Sequence, residues 1–161
     1  MKVVHSEGVV WTAKHFPGHG DTYTDSHNEL PILDHDYSRL DSVELIPFRA
    51  AINGGMQSVM SAHISFPQIS AHPELPVTLD ESILTGILRD SLNFDGLVVT
   101  DGLEMEGIAS KFSPGKVVVQ ALNAGADIML ISPDIYTAIN EVVEAVKLGD
   151  ITEERIDLSY R

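Results

Sequence analysis

Histidine, aspartate and lysine crowd into one stretch, Lys14 to His27, which reads KHFPGHGDTYTDSH. His15, His19 and His27 alternate there with Asp21 and Asp25. Imidazole exchanges a proton near neutrality, and a neighbouring carboxylate can orient its ring and hold the imidazolium. The bland reading is a polar surface loop that happens to be His-rich. So many proton-handling groups in so short a window argue against it. Two more residues stand in places suited to chemistry. His63 follows the apolar run Ser58–Ala62, and Asp101 follows Leu97–Thr100 at once. A partly desolvated carboxylate such as Asp101 suits a nucleophile, a metal ligand or a helix cap. Caps are the commonest use of Asp after a strand. The segment Gly102 to Gly107 is no obvious helix start, which favours the catalytic role. His63 alone would be a satisfied core histidine, a reading that weakens because the neighbouring strand ends are also polar.

These residues must be held by regular elements. Val9 to Phe16 reads as a buried strand that fixes Lys14 and His15, with Pro17, Gly18 and Gly20 marking the loop beyond. A loop there can bring Asp25 and His27 over a substrate. Ser38–Ile52 reads as a helix with Leu40, Val43, Ile46, Pro47 and Ala50 on one side, and Pro47 is expected to kink or shorten it. Ser58–Ile64 is a second strand. Asp80 is the expected cap of a helix through Leu92 that buries Ile83, Ile87 and Leu88. Leu97–Thr100 is a third strand, Lys116–Asn123 a helix ended by Gly125, and Ile128–Ile131 a fourth strand. A helix from Asp134 or Tyr136 to Leu148 follows, then a last one over Ile151–Arg161 capped by Thr152. Strand and helix alternate four times, which predicts an α/β fold with a parallel sheet. In such folds ligands gather at the carboxyl ends of the strands, so Lys14, His15, His63 and Asp101 should converge.

Composition narrows the partners. The 161 residues suit one domain, and 24 acidic against 10 basic side chains give a net charge of -14. That argues against nucleic acid or an anionic membrane surface and allows a neutral substrate. With no cysteine there is no disulfide, thiolate site or cysteine nucleophile. No apolar run reaches the ~18 residues of a membrane span. MKVVHSEG holds no signal-peptide core. The expectation is a cytoplasmic protein, with an exported form left open because the N-terminus reads as incomplete.

KHFPGHGDTYTDSH, SVMSAHISFP and GLVVTDGLEM, in this order and at about this spacing, resemble glycoside hydrolase family 3, specifically its bacterial β-N-acetylglucosaminidase branch. The likeness runs from about Val9 to Arg155–Asp157. It implies a TIM-type (β/α)8 barrel that removes terminal β-linked N-acetylglucosamine with retention of configuration. It also implies that Asp101 is the nucleophile and that His27, paired with Asp25, is the acid/base on a loop. Lys14 and His15 would bind sugar hydroxyls, and His63 matches a pocket histidine. The Asp-Ser-His triplet points to this branch, because the β-glucosidase branch takes its acid/base glutamate from elsewhere. The resemblance calls for no cofactor and no metal, and names an N-acetylglucosamine-containing glycoside as partner.

A whole barrel takes about 200–250 residues or more. Residues 1–161 are therefore expected to form a partial catalytic domain, the four C-terminal strand-helix units of a half-barrel. No match appears to the first half, which carries further sugar ligands, an aspartate and an arginine among them. Open strand edges would favour self-association. Two other readings use the same residues. His15, His19, Asp21, Asp25, His27 and His63 can supply imidazole and carboxylate ligands to zinc or another divalent metal, although no HxH or HExxH spacing is present. Alternatively the chain is an inactive sugar-binding half-domain.

Overall fold

The computed structural model describes residues 7–23 and 29–160. Its sheet is parallel, with strands β1 (Thr12–Phe16), β2 (Ser58–Ser61) and β3 (Leu97–Val99) in that order. Thr12 pairs with Ser58 and Ala13 with Val59, but the next pair is Phe16 with Ser61. One extra residue is therefore accommodated on β1, a bulge at Lys14 and His15, and bulges re-aim side chains at strand ends. The Lys14–His15 and Phe16–Pro17 peptides are cis. β1 begins later than the apolar run predicted and is not buried along its length: Val9 and Val10 precede the first pair and stay half-exposed, and of Thr12–Phe16 Phe16 alone is buried.

The expected fourth strand is reduced to one bridge, Val99 to Ile128. The Thr100 N–H donates to the Ile128 carbonyl, but the Leu130 N–H donates to the Thr100 hydroxyl where a ladder would offer a carbonyl. Ile131 then turns to φ 47°, which a β-branched residue adopts only against steric strain, and pairing stops.

Helix α1 comprises Tyr37–Arg39, Leu40–Glu44 and Leu45–Asn53. Asp36 caps it by accepting the Arg39 N–H at 2.8 Å. The middle stretch is wound wider: the Leu45 N–H reaches back five residues to the Leu40 carbonyl. Pro47, two residues on, has no N–H for the ordinary ladder. It does not shorten the helix, which runs on to Asn53. The wide turn shifts the apolar stripe to Leu40, Leu45 and Phe48, and leaves Val43 and Ile46 about half-exposed against expectation.

Helix α2, Glu81–Ile83 continued by Leu84–Ser91, starts at Asp80, whose carboxylate accepts the Ser82 N–H at 2.9 Å. It buries Ile83, Leu84, Ile87 and Leu88 in the hydrophobic core. A short helix α3 (Glu106–Ala109) follows β3, then α4 (Pro114–Ala124), α5 (Ile135–Leu148) and α6 (Glu153–Tyr160). Gly125 ends α4 at φ 117°, as its type predicted. Asp134 caps α5 through Thr137, which holds its carboxyl below the usual aspartate value. Thr152 accepts the Arg155 N–H at 3.1 Å at the head of α6. Phe16, Val59, Ile64, Leu84, Leu88 and Val98 are fully buried where sheet and helices meet. Among the described residues no helix is long and apolar enough to cross a membrane.

Candidate active site

The carboxyl ends of β1 and β3 open on one cleft of about 810 Å³, whose lining includes Lys14, His15, His19, Asp21, Arg39 and Asp101. The bulge in β1 and the short run after β3 bring two of the expected groups together: His15 Nε2 lies 3.5 Å from Asp101 Oδ2. Both side chains are about a quarter exposed, accessible yet shielded on one side. Asp101 Oδ1 accepts the following residue's N–H, Gly102, at 2.9 Å. Its other oxygen thus faces His15 and the cleft. Asp101 caps no helix, because α3 begins five residues later behind Met105. The His19 ring stands edge-on to His15 at 5.6 Å, and its Nδ1 meets the Thr22 hydroxyl at 2.7 Å.

His63 is placed differently from the substrate contact expected of it. It is 0% exposed and does not line the cleft. Its Nδ1 is 2.8 Å from the Thr78 hydroxyl and its Nε2 is 3.0 Å from the Gly102 carbonyl. Burial pushes its imidazolium below the ordinary 6.5, while the Gly102 carbonyl and the charges of Asp101 and Glu104 pull the other way. Both ring nitrogens are committed to protein, so any part His63 plays is exerted from behind the site. Asp25 and His27 lie outside the described residues.

The loop after β1 is fastened to α1 by charges that sequence reasoning passed over. Arg39 Nη2 is 2.9 Å from Glu44 Oε1 and 3.5 Å from Asp21 Oδ2, and His35 Nε2 is 3.1 Å from the same Asp21 oxygen. The Asp21–His35 contact falls outside hydrogen-bond geometry. The bond to Glu44 raises the Arg39 guanidinium above its usual range, with the charges of Glu44 and Asp21 adding to it. Residues five apart face different sides of an α-helix, which is why Arg39 and Glu44 did not suggest a pair. The wide turn over Leu40–Glu44 brings them together. Gly18, at φ 150°, sits so close to α1 that a Cβ there would stand 2.8 Å from Glu44 Cγ. Among the described residues no group of three His, Asp or Glu is arranged to hold a metal ion.

The glycosyl hydrolase family 3 N-terminal domain matches the chain over residues 1–161. A family 3 β-N-acetylglucosaminidase from Paenibacillus sp. str. FPU-7 superposes with a TM-score of 0.94 at 45% identity, covering 99% of this chain and 31% of that one. Beta-hexosaminidase A of Pseudoalteromonas piscicida is 37% identical over 141 residues, 81% of this chain and 24% of the relative. The beta-hexosaminidase of Nitrosospira multiformis is 37% identical over 131 residues, again 81% of this chain and 37% of the relative. The chain thus spans roughly a quarter to two-fifths of the length of these relatives.

Proposed function

The chain belongs to glycosyl hydrolase family 3, and on that premise we propose that it carries the reacting groups of a retaining glycosidase that removes terminal β-linked N-acetylglucosamine. The observation that carries the proposal is the Asp101–His15 pair, 3.5 Å apart at the mouth of a cleft. One Asp101 oxygen is tied to Gly102 and the other is presented to a ligand.

Asp101 attacks the anomeric carbon and the bond from that carbon to the leaving oxygen breaks. His27 gives its proton to that oxygen, so the products of the first step are the free alcohol and a glycosyl ester on Asp101. The same His27, now neutral, takes a proton from water. The hydroxide attacks the anomeric carbon on the face the alcohol left, and the Asp101 carboxylate departs. An imidazole serves both steps because its ordinary pKa lies near neutrality. Asp25, two residues from His27, orients the ring and stabilises the imidazolium. Lys14 and His15, which line the cleft, bind sugar hydroxyls.

The three strands and the Val99–Ile128 bridge are read as four successive units of a (β/α)8 barrel, with residues 1–161 as part of one catalytic domain. Half-exposed Val9, Val10, Ile128 and Ile131 support association through the open sides of the sheet, which sedimentation of the chain tests.

An aryl N-acetyl-β-glucosaminide is the substrate to try. Turnover that survives EDTA, together with covalent capture of Asp101 by a 5-fluoro glycoside, is the expected result. Capture of another carboxylate removes Asp101 from the role. Activity abolished by EDTA and restored by zinc would replace the proposal with metal-assisted hydrolysis. Binding without turnover would favour the inactive sugar-binding half-domain.

A further inference from the structure

We propose that His63 is a positioning residue for Asp101, acting through the main chain of Gly102, and that the Thr78 hydroxyl fixes the tautomer in which it does so. The proposal rests on the reading of Asp101 as the nucleophile. His63 is fully buried and touches no part of the cleft, so it does not act on a ligand directly.

The proton on its ring is assigned by elimination. The Gly102 carbonyl, 3.0 Å from Nε2, only accepts, so Nε2 carries a hydrogen. Nδ1, 2.8 Å from Thr78 Oγ1, then either accepts from Thr78 or carries a second proton. Thr78 Oγ1 also lies 3.1 Å from the Ala62 carbonyl, and a hydroxyl has one proton to give. Donation to Ala62 would force a buried imidazolium, which desolvation opposes. The Thr78 proton therefore goes to Nδ1, and the Ser61 hydroxyl, 2.9 Å away, donates to Thr78. The result is a buried one-way chain from Ser61 to Thr78 to His63 to the Gly102 carbonyl.

Gly102 is gripped on its other sides too. Its own N–H donates to Asp101 Oδ1, and the next N–H, of Leu103, donates to the Leu130 carbonyl. Since Gly102 holds one oxygen of Asp101, whatever fixes Gly102 fixes which oxygen faces His15 and the cleft. Loss of a supporting bond behind a reacting group costs about 10–100-fold, and loosened aim appears in turnover more than in binding.

The tests compare Thr78→Val, which keeps the shape and loses the hydroxyl, with Thr78→Ser, which keeps the hydroxyl. Long-range ¹H–¹⁵N spectra of the ¹⁵N-labelled chain should show neutral His63 with its hydrogen on Nε2. Hydrogen exchange at the Gly102 amide should quicken about tenfold or more in Thr78→Val and stay within about twofold in Thr78→Ser. On the aryl glycoside, kcat should fall about 10–100-fold in Thr78→Val with KM within about twofold, and Thr78→Ser should recover it. A hydrogen on Nδ1, or equal Gly102 exchange in the two variants, overturns the proposal. The spectra and the exchange need no turnover. A chain that does not hydrolyse the glycoside therefore defeats the functional reading, while the spectra still decide the part played by His63. If Thr78→Val does not fold, the tautomer in the wild-type chain decides.

Discussion

Asp127 is the place where one substitution should be felt furthest. Its side chain is 7% exposed. Oδ2 accepts from Arg89 Nη2 at 2.6 Å and from the Val98 N–H at 2.9 Å, and Oδ1 accepts from the Ser159 hydroxyl at 2.7 Å and faces Arg155 Nη2 at 3.4 Å. One carboxylate thereby joins α2, β3 and α6. In Asp127→Ala the Val98 N–H and the Ser159 hydroxyl lose their acceptor, at about 1–3 kcal/mol for a buried donor. Both guanidiniums keep carbonyl partners, Gly96 for Arg89 and Leu122 and Ala126 for Arg155, so neither is stranded outright. With the two charge contacts added, the loss should be about 3–5 kcal/mol, the range for breaking a buried ion pair. At a slope of about 2 kcal/mol per molar urea, the unfolding midpoint should fall by about 2 M. Asp127→Asn keeps one acceptor and should lose roughly half as much. In a double-mutant cycle, Asp127→Ala and Arg89→Ala should couple by about 1 kcal/mol or more. A midpoint shift for Asp127→Ala worth less than about 1 kcal/mol, or strict additivity in the cycle, would refute the view that this carboxylate carries the junction.

Asp101→Asn should lower kcat on an aryl N-acetylglucosaminide by at least about a thousandfold with the fold kept, and near-normal turnover would exclude it as nucleophile. His27→Ala should harm substrates with poor leaving groups far more than activated aryl glycosides, with Asp25→Ala a milder copy; equal losses on both would mean a structural loop. The folded value of His63 lies below 6.5, so between that value and 6.5 the unfolded chain binds the extra proton. Its contribution is fully present above about pH 6.5 and is lost as pH falls toward the folded value. Urea midpoints at about pH 5 and about pH 7.5 should therefore differ more in the wild-type chain than in His63→Gln, and equal differences would remove His63 as the cause. A Cβ at Gly96 would stand 2.5 Å from the Gln57 carbonyl, a backbone atom that cannot swing away. Gly96→Ala should cost about 1–3 kcal/mol in calorimetry, and an unchanged Tm would show that β2 and β3 part easily there.

What the sequence made legible follows the range of the interactions. Caps and stops are local, so Asp80, Thr152 and Gly125 were readable from residue type and spacing. The third strand was readable from its short apolar, β-branched run, although Val98 and Thr100 alone of Leu97–Thr100 are fully buried. The fourth was not, because Ile128–Ile131 looks like a strand in composition while its pairing is broken by a hydroxyl from Thr100, 30 residues away. The first-strand bulge was equally hidden, since it exists only in register with β2. Within the site, Asp101 and His15 could be expected to meet because strand ends share a face of the sheet. For His63 the core-histidine reading was available, but its partners were not, because Thr78 lies in a later 3₁₀ turn and Gly102 in the segment after β3. The Arg39–Glu44 pair escaped because it depends on a wide helical turn.

The described part of the site is fastened at both ends, and the two fastenings differ in kind. Asp101 stands at the end of a short strand whose Val98 is tied to Asp127, and its neighbour Gly102 is held by the His63 ring. These anchors are buried, so salt should affect them little. The loop after His15 is held through Asp21, Arg39 and His35; the Arg39–Asp21 pair is largely exposed, and such pairs are weak and salt-sensitive. A double-displacement reaction suits that division. The nucleophile must keep one line of attack through both steps, whereas the proton donor must admit an alcohol to leave and a water to enter. On the proposed reading the firm group is Asp101, whose strand is tied to Asp127 and whose neighbour Gly102 is held by His63.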